Sequence, residues 1–140
     1  NSPLYRGFEQ ILEGKAPDDA LTLVPRICGI CSVAQSAAAA RALADASGLM
    51  PPDNGRVAAN LTLAVENLAD HLTHFYLFFM PDFAAMEYAH QPWYDTVAVR
   101  FAAQTGTASA EALPVRARFM HAMGLLAGKW PHTLAVQPGG

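Results

Sequence analysis

Apolar side chains recur at helical spacing through most of this chain. Leu4, Phe8, Ile11 and Leu12 predict a short amphipathic segment over residues 3 to 14, which Gly14 and then Pro17 should end. After a loop with Asp18 and Asp19, residues 21 to 27 lead either extended or helical into a turn, and Pro25 disfavours helix at Val24. Ser32-Val33-Ala34-Gln35 then fits a capping box, Ser against Gln three residues on, and an alanine-rich helix follows with Gly48 as its stop. Alanine at so many positions implies close packing against another helix.

Pro51-Pro52-Asp53-Asn54-Gly55 reads as a linker and helix start. Val57, Leu61, Leu68, Leu72, Phe75 and Phe79 then keep helical spacing until Pro81, which predicts a helix of roughly 24 residues and about 36 Å. A second stripe on it is polar: Asn60, Asn67, Asp70, His71 and His74. Water covering that face is the ordinary explanation, and a polar lining beside a buried site is the functional one. Residues 82 to 108 hold no sustained period and read as irregular, with His90, Pro92, Trp93 and Gly106 among them. From Leu113-Pro114, with proline in a first turn, a helix carrying Val115, Phe119, Met123 and Leu126 should run to Gly128, followed by a loop over 128 to 133. The pattern predicts a mainly α chain without internal repeats, treated as one partial domain over 1–140.

Composition narrows the class. At 140 residues, 52% hydrophobic and 15% charged, the chain is suited to a globular fold rather than a disordered one. The net charge of −3 and scattered basic residues leave no electrostatic footprint for nucleic acid. No apolar run reaches the roughly 18 residues of a membrane span, so no direct span is expected. The missing initiating Met and the closing Pro138-Gly139-Gly140 are read as signs of a partial chain.

The only two cysteines stand together in Pro25-Arg26-Ile27-Cys28-Gly29-Ile30-Cys31-Ser32. A thiol in a loop before a helix meets unpaired amides and the positive end of the helix dipole, which favour the thiolate, and Arg26 adds a positive charge nearby. Spacing leaves four readings open. A redox dithiol would want strands around the helix, which are not evident, and a structural zinc site would need two further Cys or His ligands at comparable spacing. An ordinary pair of reduced cysteines is the third reading. The fourth is a metal centre whose remaining ligands lie elsewhere.

Four stretches together say more than the cysteines alone. Arg6-Gly7-Phe8-Glu9, Arg26-Ile27-Cys28-Gly29-Ile30-Cys31, Asp70-His71-Leu72-Thr73-His74-Phe75-Tyr76 and Gly128-Lys129-Trp130-Pro131-His132 resemble, in order, the large subunit of nickel-iron hydrogenases. The resemblance covers essentially the whole chain. It implies a mainly helical body of long packed helices around a buried bimetallic centre. It also implies that Cys28 is a terminal nickel ligand and that Cys31 bridges nickel to an iron carrying carbonyl and cyanide. The other two thiolates come, in that family, from a C-terminal motif absent here.

Further positions carry over by the same resemblance. Glu9 matches a glutamate that binds magnesium, a hard ion suited to carboxylate oxygen; alone, it would read as an exposed helix carboxylate. Asp70 matches an outer carboxylate near the active site, Arg26 a residue that neutralises thiolate charge, and His71 and His74 structural hydrogen-bonders. Gln35 stands where many catalytic members have His, and Leu77 and Phe79 where they often carry two more. These departures resemble hydrogen-sensing members and related uptake types. Ile30 and Phe78 match a gas-channel constriction, with ordinary core packing as the equal alternative.

The implied function is reversible splitting of dihydrogen into protons and electrons. The implied partners are a small subunit with iron-sulfur clusters and maturation proteins. The compartment would be the cytoplasm for a sensor, or the periplasmic face of the membrane for an uptake enzyme. A non-catalytic scaffold for cofactor assembly and a redox dithiol protein are the other classes, and the intact CxxC argues against the scaffold.

Overall fold

The computed structural model describes residue 5 and residues 7–140, so Leu4 and Arg6 lie outside the described residues. The chain is 67% helical and has no strand among those residues, as the apolar spacing predicts. Its contacts group into two compact units, Asn1–Glu66 with Met123–Gly140, and Asn67–Ala122.

The first unit begins with α1 (Phe8–Leu12), which ends near Gly14 in the left-handed region, φ 72°. A 3-10 turn at Pro17–Asp19, α2 (Ala20–Leu23) and a second 3-10 turn at Val24–Arg26 follow. Val24 is right-handed helical, φ −64° and ψ −36°, although Pro25 disfavours it there. The local penalty is overridden by burial of Leu21 and Pro25 on the same short helical path.

The alanine-rich helix α3 runs Ser32–Ser47 and stops where Gly48 turns left-handed, φ 65°, its two-residue exit closed by Leu49 N–H donating to the Ala44 carbonyl at 2.9 Å. Val33, Ser36, Ala37, Ala40 and Ala44 form its buried face. The long helix α4 runs Asp53–His74. Ala37, Ala40 and Ala44 share a narrow cleft with Gly55 and Ala59 of α4, the close approach that small side chains permit. Gly55 itself is required, because a Cβ there would stand 2.8 Å from the Gly140 Cα. Val33 and Met123 are fully buried, each contributing about 1.5–3 kcal/mol.

The second unit takes the rest of α4 into a single π-helical turn, Phe75–Phe79, and then α5 (Met80–Asp82), which accommodates Pro81 in its first turn. The helical path thus passes the proline expected to end it. A 3-10 turn at Met86–Tyr88 leads to α6 (Tyr94–Phe101), a helix that the sequence pattern leaves unassigned. It forms because its ends are held from outside: Tyr94 donates to the Ala84 carbonyl at 3.3 Å, and the Phe101 ring meets Tyr76 and Phe75 at 6.1 and 6.4 Å.

The helix expected from Leu113 begins earlier and ends sooner, as α7 (Ala108–Phe119), with Pro114 inside it. After Met120 comes α8 (His121–Ala127), closed by Gly128 at φ 73°. Arg116 of α7 donates to Thr73 of α4 at 2.8 Å, and Arg100 pairs with Glu111 at 3.0 Å. These tertiary bonds, rather than periodicity, set where α7 stands.

Candidate metal centre

Cys28 and Cys31 are both free thiols, half-buried, on the turn that joins the Val24–Arg26 helical turn to α3. Cys31 is the residue that precedes α3, with φ −107° and ψ 29°. The Ser32 Oγ accepts no amide of its own helix, so the expected capping box is not formed. Glu66 of α4 does that work from 33 residues away. Its Oε2 accepts from the Val33 N–H and its Oε1 from the Ala34 N–H, both at 2.9 Å. Oε2 also accepts the Trp130 indole N–H at 2.9 Å and the Ser32 hydroxyl at 3.4 Å.

This changes the electrostatics expected at the turn. All four first-turn amides of α3 are engaged: Ser32 N–H donates to the Gly29 carbonyl, Val33 and Ala34 to Glu66, and Gln35 to the Cys31 carbonyl. None is left for a thiolate, and a carboxylate already occupies the positive end of the helix dipole. Cys28 nonetheless ionises below the ordinary thiol range, chiefly because Cys31 hydrogen-bonds its sulfur, with backbone amides of Cys31 and Ile30 assisting. Burial and the Glu66 charge work against this. Cys31 ionises above the ordinary range, first through burial and then because it is the donor to Cys28, while Gln35 works in the opposite direction.

The loop after α8 closes over the same turn. His132 N–H donates to Ser32 Oγ at 3.2 Å, and its Nδ1–H donates to the Pro25 carbonyl at 3.0 Å. A Cβ on Gly29 would lie 3.7 Å from the His132 ring and from Pro131. His132 takes the left-handed φ of 62°, costing a non-glycine residue about 1 kcal/mol, which its bonds to Ser32 and Pro25 offset.

The remaining expected residues are placed as follows. Gln35 Nε2–H donates to Cys31 Sγ at 3.3 Å, one helical turn on, in place of its expected capping role. The exposed Arg26 turns away, its guanidinium donating to the Thr22 carbonyl. Ile30 is 62% exposed on the turn, and Phe78, also 62% exposed, belongs to the second unit's π-helical turn. Neither packs into a core within the described residues. Glu9 is exposed on α1, and Asp70, His71 and His74 are exposed in the second unit.

Sequence reasoning missed Glu66, Ser32, Trp130 and His132 as one network. A signal existed for the first: Glu66 is four residues after Thr62 and three before Ala69, next to Val65, so it shares their buried face. The polar stripe that drew attention, Asn60 to His74, is the exposed one.

As a donor set, two soft thiols three residues apart fit half of a four-thiolate nickel site. No group of three or more His, Cys, Asp or Glu side chains able to hold a metal occurs among the described residues. The fit is therefore to a centre that two cysteines begin and do not complete.

Comparison with known proteins defines the class. The sequence profile described as nickel-dependent hydrogenase matches residues 6–109, and the chain belongs to that family. It is 40% identical over 89 residues to the periplasmic NiFeSe hydrogenase large subunit of Desulfomicrobium baculatum, covering 64% of this chain and 16% of that protein. It is 44% identical over 73 residues to the hydrogenase-1 large chain of Escherichia coli, covering 52% of this chain and 12% of that one. Its fold is similar to the Ni-Fe-Se hydrogenase of D. vulgaris Hildenborough in the reduced state, with a TM-score of 0.73 and 35% identity over 93% of this chain and 28% of that chain. The matched stretch thus spans about a sixth or less of the length of these curated relatives.

Proposed function

We propose that this chain is part of a nickel-iron hydrogenase large subunit that binds dihydrogen and splits it reversibly into protons and electrons. The observation that carries the reading is the pair of free cysteines, Cys31 donating toward Cys28, on the RICGIC turn of a chain in this family. Cys28 and Cys31 would hold the centre, Cys28 as terminal ligand and Cys31 as bridge. When bound, the nickel-iron centre, with carbonyl and cyanide on iron, supplies the Lewis acidity that polarises dihydrogen.

The chain's own contribution is to favour the anion at one sulfur, Cys28, and to hold the other, Cys31, beside it. Amides of Ile30 and Cys31 favour the anion at Cys28 Sγ, which would serve as the base that receives the proton. Gln35 offers Cys31 Sγ a neutral hydrogen bond that carries no net charge. That neutral donor supports the finer reading as a hydrogen sensor or related uptake enzyme. An uptake enzyme would work at the periplasmic face, where the D. baculatum relative is named, and a sensor in the cytoplasm. No helix among the described residues is long and apolar enough to cross a membrane.

The same reading gives Glu9 a magnesium ion, makes Asp70 and Arg26 supports of the centre, and puts Ile30 and Phe78 along a gas route. The exposure of Glu9, Asp70 and Ile30 supports it, because those side chains can face other parts of the protein. A small subunit with iron-sulfur clusters is the electron partner, and maturation proteins load the metals.

Metal analysis of the full-length protein tests this. Nickel is expected in the wild type and lost in Cys28→Ser and Cys31→Ser. A wild type without nickel, or serine variants with unchanged nickel, would overturn the assignment.

A further inference from the structure

We propose that Glu66 is the positioning residue of the Cys28–Cys31 turn: its buried carboxylate fixes where the two sulfurs stand for the metal centre. The inference rests on the reading of those cysteines as its ligands. Glu66 is 3% exposed, and a buried carboxylate is costly unless its oxygens are filled. Here four donors fill them, from Ser32, Val33, Ala34 and Trp130.

These donors bracket the turn. On its exit side, Val33 and Ala34 follow Cys31 directly, and Gln35 N–H returns to the Cys31 carbonyl at 3.1 Å. A displaced first turn of α3 therefore displaces Cys31. On its entry side, Ser32 Oγ accepts from His132, which in turn donates to the Pro25 carbonyl, three residues before Cys28. Glu66 thus reaches both ends of the turn through at most two intermediates, without touching a sulfur.

A carboxylate suits this position and a carboxamide does not. Every partner is a donor, so an amide NH2 group at either oxygen position would face another donor. Glu66→Gln keeps the shape of the side chain and breaks at least one of the paired bonds.

The experiment uses the full-length protein isolated with its nickel. In Glu66→Gln, amide hydrogen exchange at Val33 and Ala34 is expected to accelerate about tenfold or more, the loss of a charge-assisted hydrogen bond. The nickel electron paramagnetic resonance spectrum should shift, and nickel should be lost to a chelator about tenfold faster. Ala40→Gly, inside α3 and away from the carboxylate, serves as a control that weakens the helix alone. It should leave the nickel spectrum and retention as in the wild type.

Wild-type exchange and spectrum in Glu66→Gln would overturn the proposal, as would equal nickel loss in Ala40→Gly. If Glu66→Gln yields no folded protein, Trp130→Phe removes one donor and should shift the same spectrum in a smaller degree; an unshifted spectrum there also overturns it. Cys28→Ser that keeps wild-type nickel defeats the metal reading instead, a result distinguishable from failure of the cap.

Discussion

The two units of this chain hold themselves together by opposite means. In the first, one buried carboxylate gathers donors from two separate stretches of sequence, and the apolar core beside it is built largely from small side chains such as Ala37, Ala40 and Ala44. In the second, rings meet rings: Phe75 with Tyr76 at 5.1 Å, Phe79 with Phe83 at 5.2 Å, Tyr88 with Trp93 at 5.6 Å. Polar satisfaction is directional and fixes a turn to within a bond length, whereas ring contacts are tolerant of small shifts. The cysteines sit in the unit where position is specified most tightly.

The largest test of that contrast is Glu66→Ala. It strands the buried Val33 amide and the part-buried Ala34 amide and Trp130 indole N–H, and an unsatisfied buried donor costs about 1–3 kcal/mol. With water entering part of the space, we expect destabilisation of about 3 kcal/mol, read as a lowered urea midpoint of the full-length protein. A midpoint unchanged by the substitution would mean that the first unit is held by its small-residue packing alone.

Phe101→Ala is the counterpart in the second unit. It removes the ring that Phe75 and Tyr76 share at the end of α6, and a half-buried ring with such partners is worth about 2 kcal/mol. The loss should be local, with amide exchange accelerating in α6 and α7 while Val33 and Ala34 keep their protection. Equal acceleration at both places would erase the distinction between the units.

Why one helix was legible and its neighbour was not follows from the same contrast. α3 announces itself through an alanine run and a glycine stop, and its bounds follow the pattern, Ser32–Ser47 with Gly48 left-handed. α6 is eight residues long with three β-branched side chains, Thr96, Val97 and Val99, so its helicity comes from Phe101, Tyr94 and Arg100 meeting partners outside it. The cysteine motif was legible because its residues are adjacent in sequence. The carboxylate that holds it was not, because the separation of 33 positions from Val33 to Glu66 is bridged only in the fold. Local pattern suggested that Ser32 and Gln35 would cap the helix; the tertiary carboxylate displaced both, and freed Gln35 to reach Cys31 Sγ.

Glu111→Gln sets the lower end of the scale. The Arg100–Glu111 pair at 3.0 Å is the second unit's ion pair among the described residues, and Glu111 holds the guanidinium charged above its ordinary range by hydrogen bond and charge. Its side chains are 39% and 57% exposed, so water and salt screen the attraction, and two long side chains lose rotamer freedom to make it. The thermal midpoint of Glu111→Gln should therefore match the wild type, at low salt and at high salt alike. A drop as large as that of Phe101→Ala, relieved by salt in the wild type, would show that charge holds α6 to α7 and that the rings are only its surroundings. The expected outcome separates two carboxylates of one chain by what surrounds them: Glu66, itself buried and filled by four donors, fixes a structure that Glu111, with its one partner in solvent, only decorates.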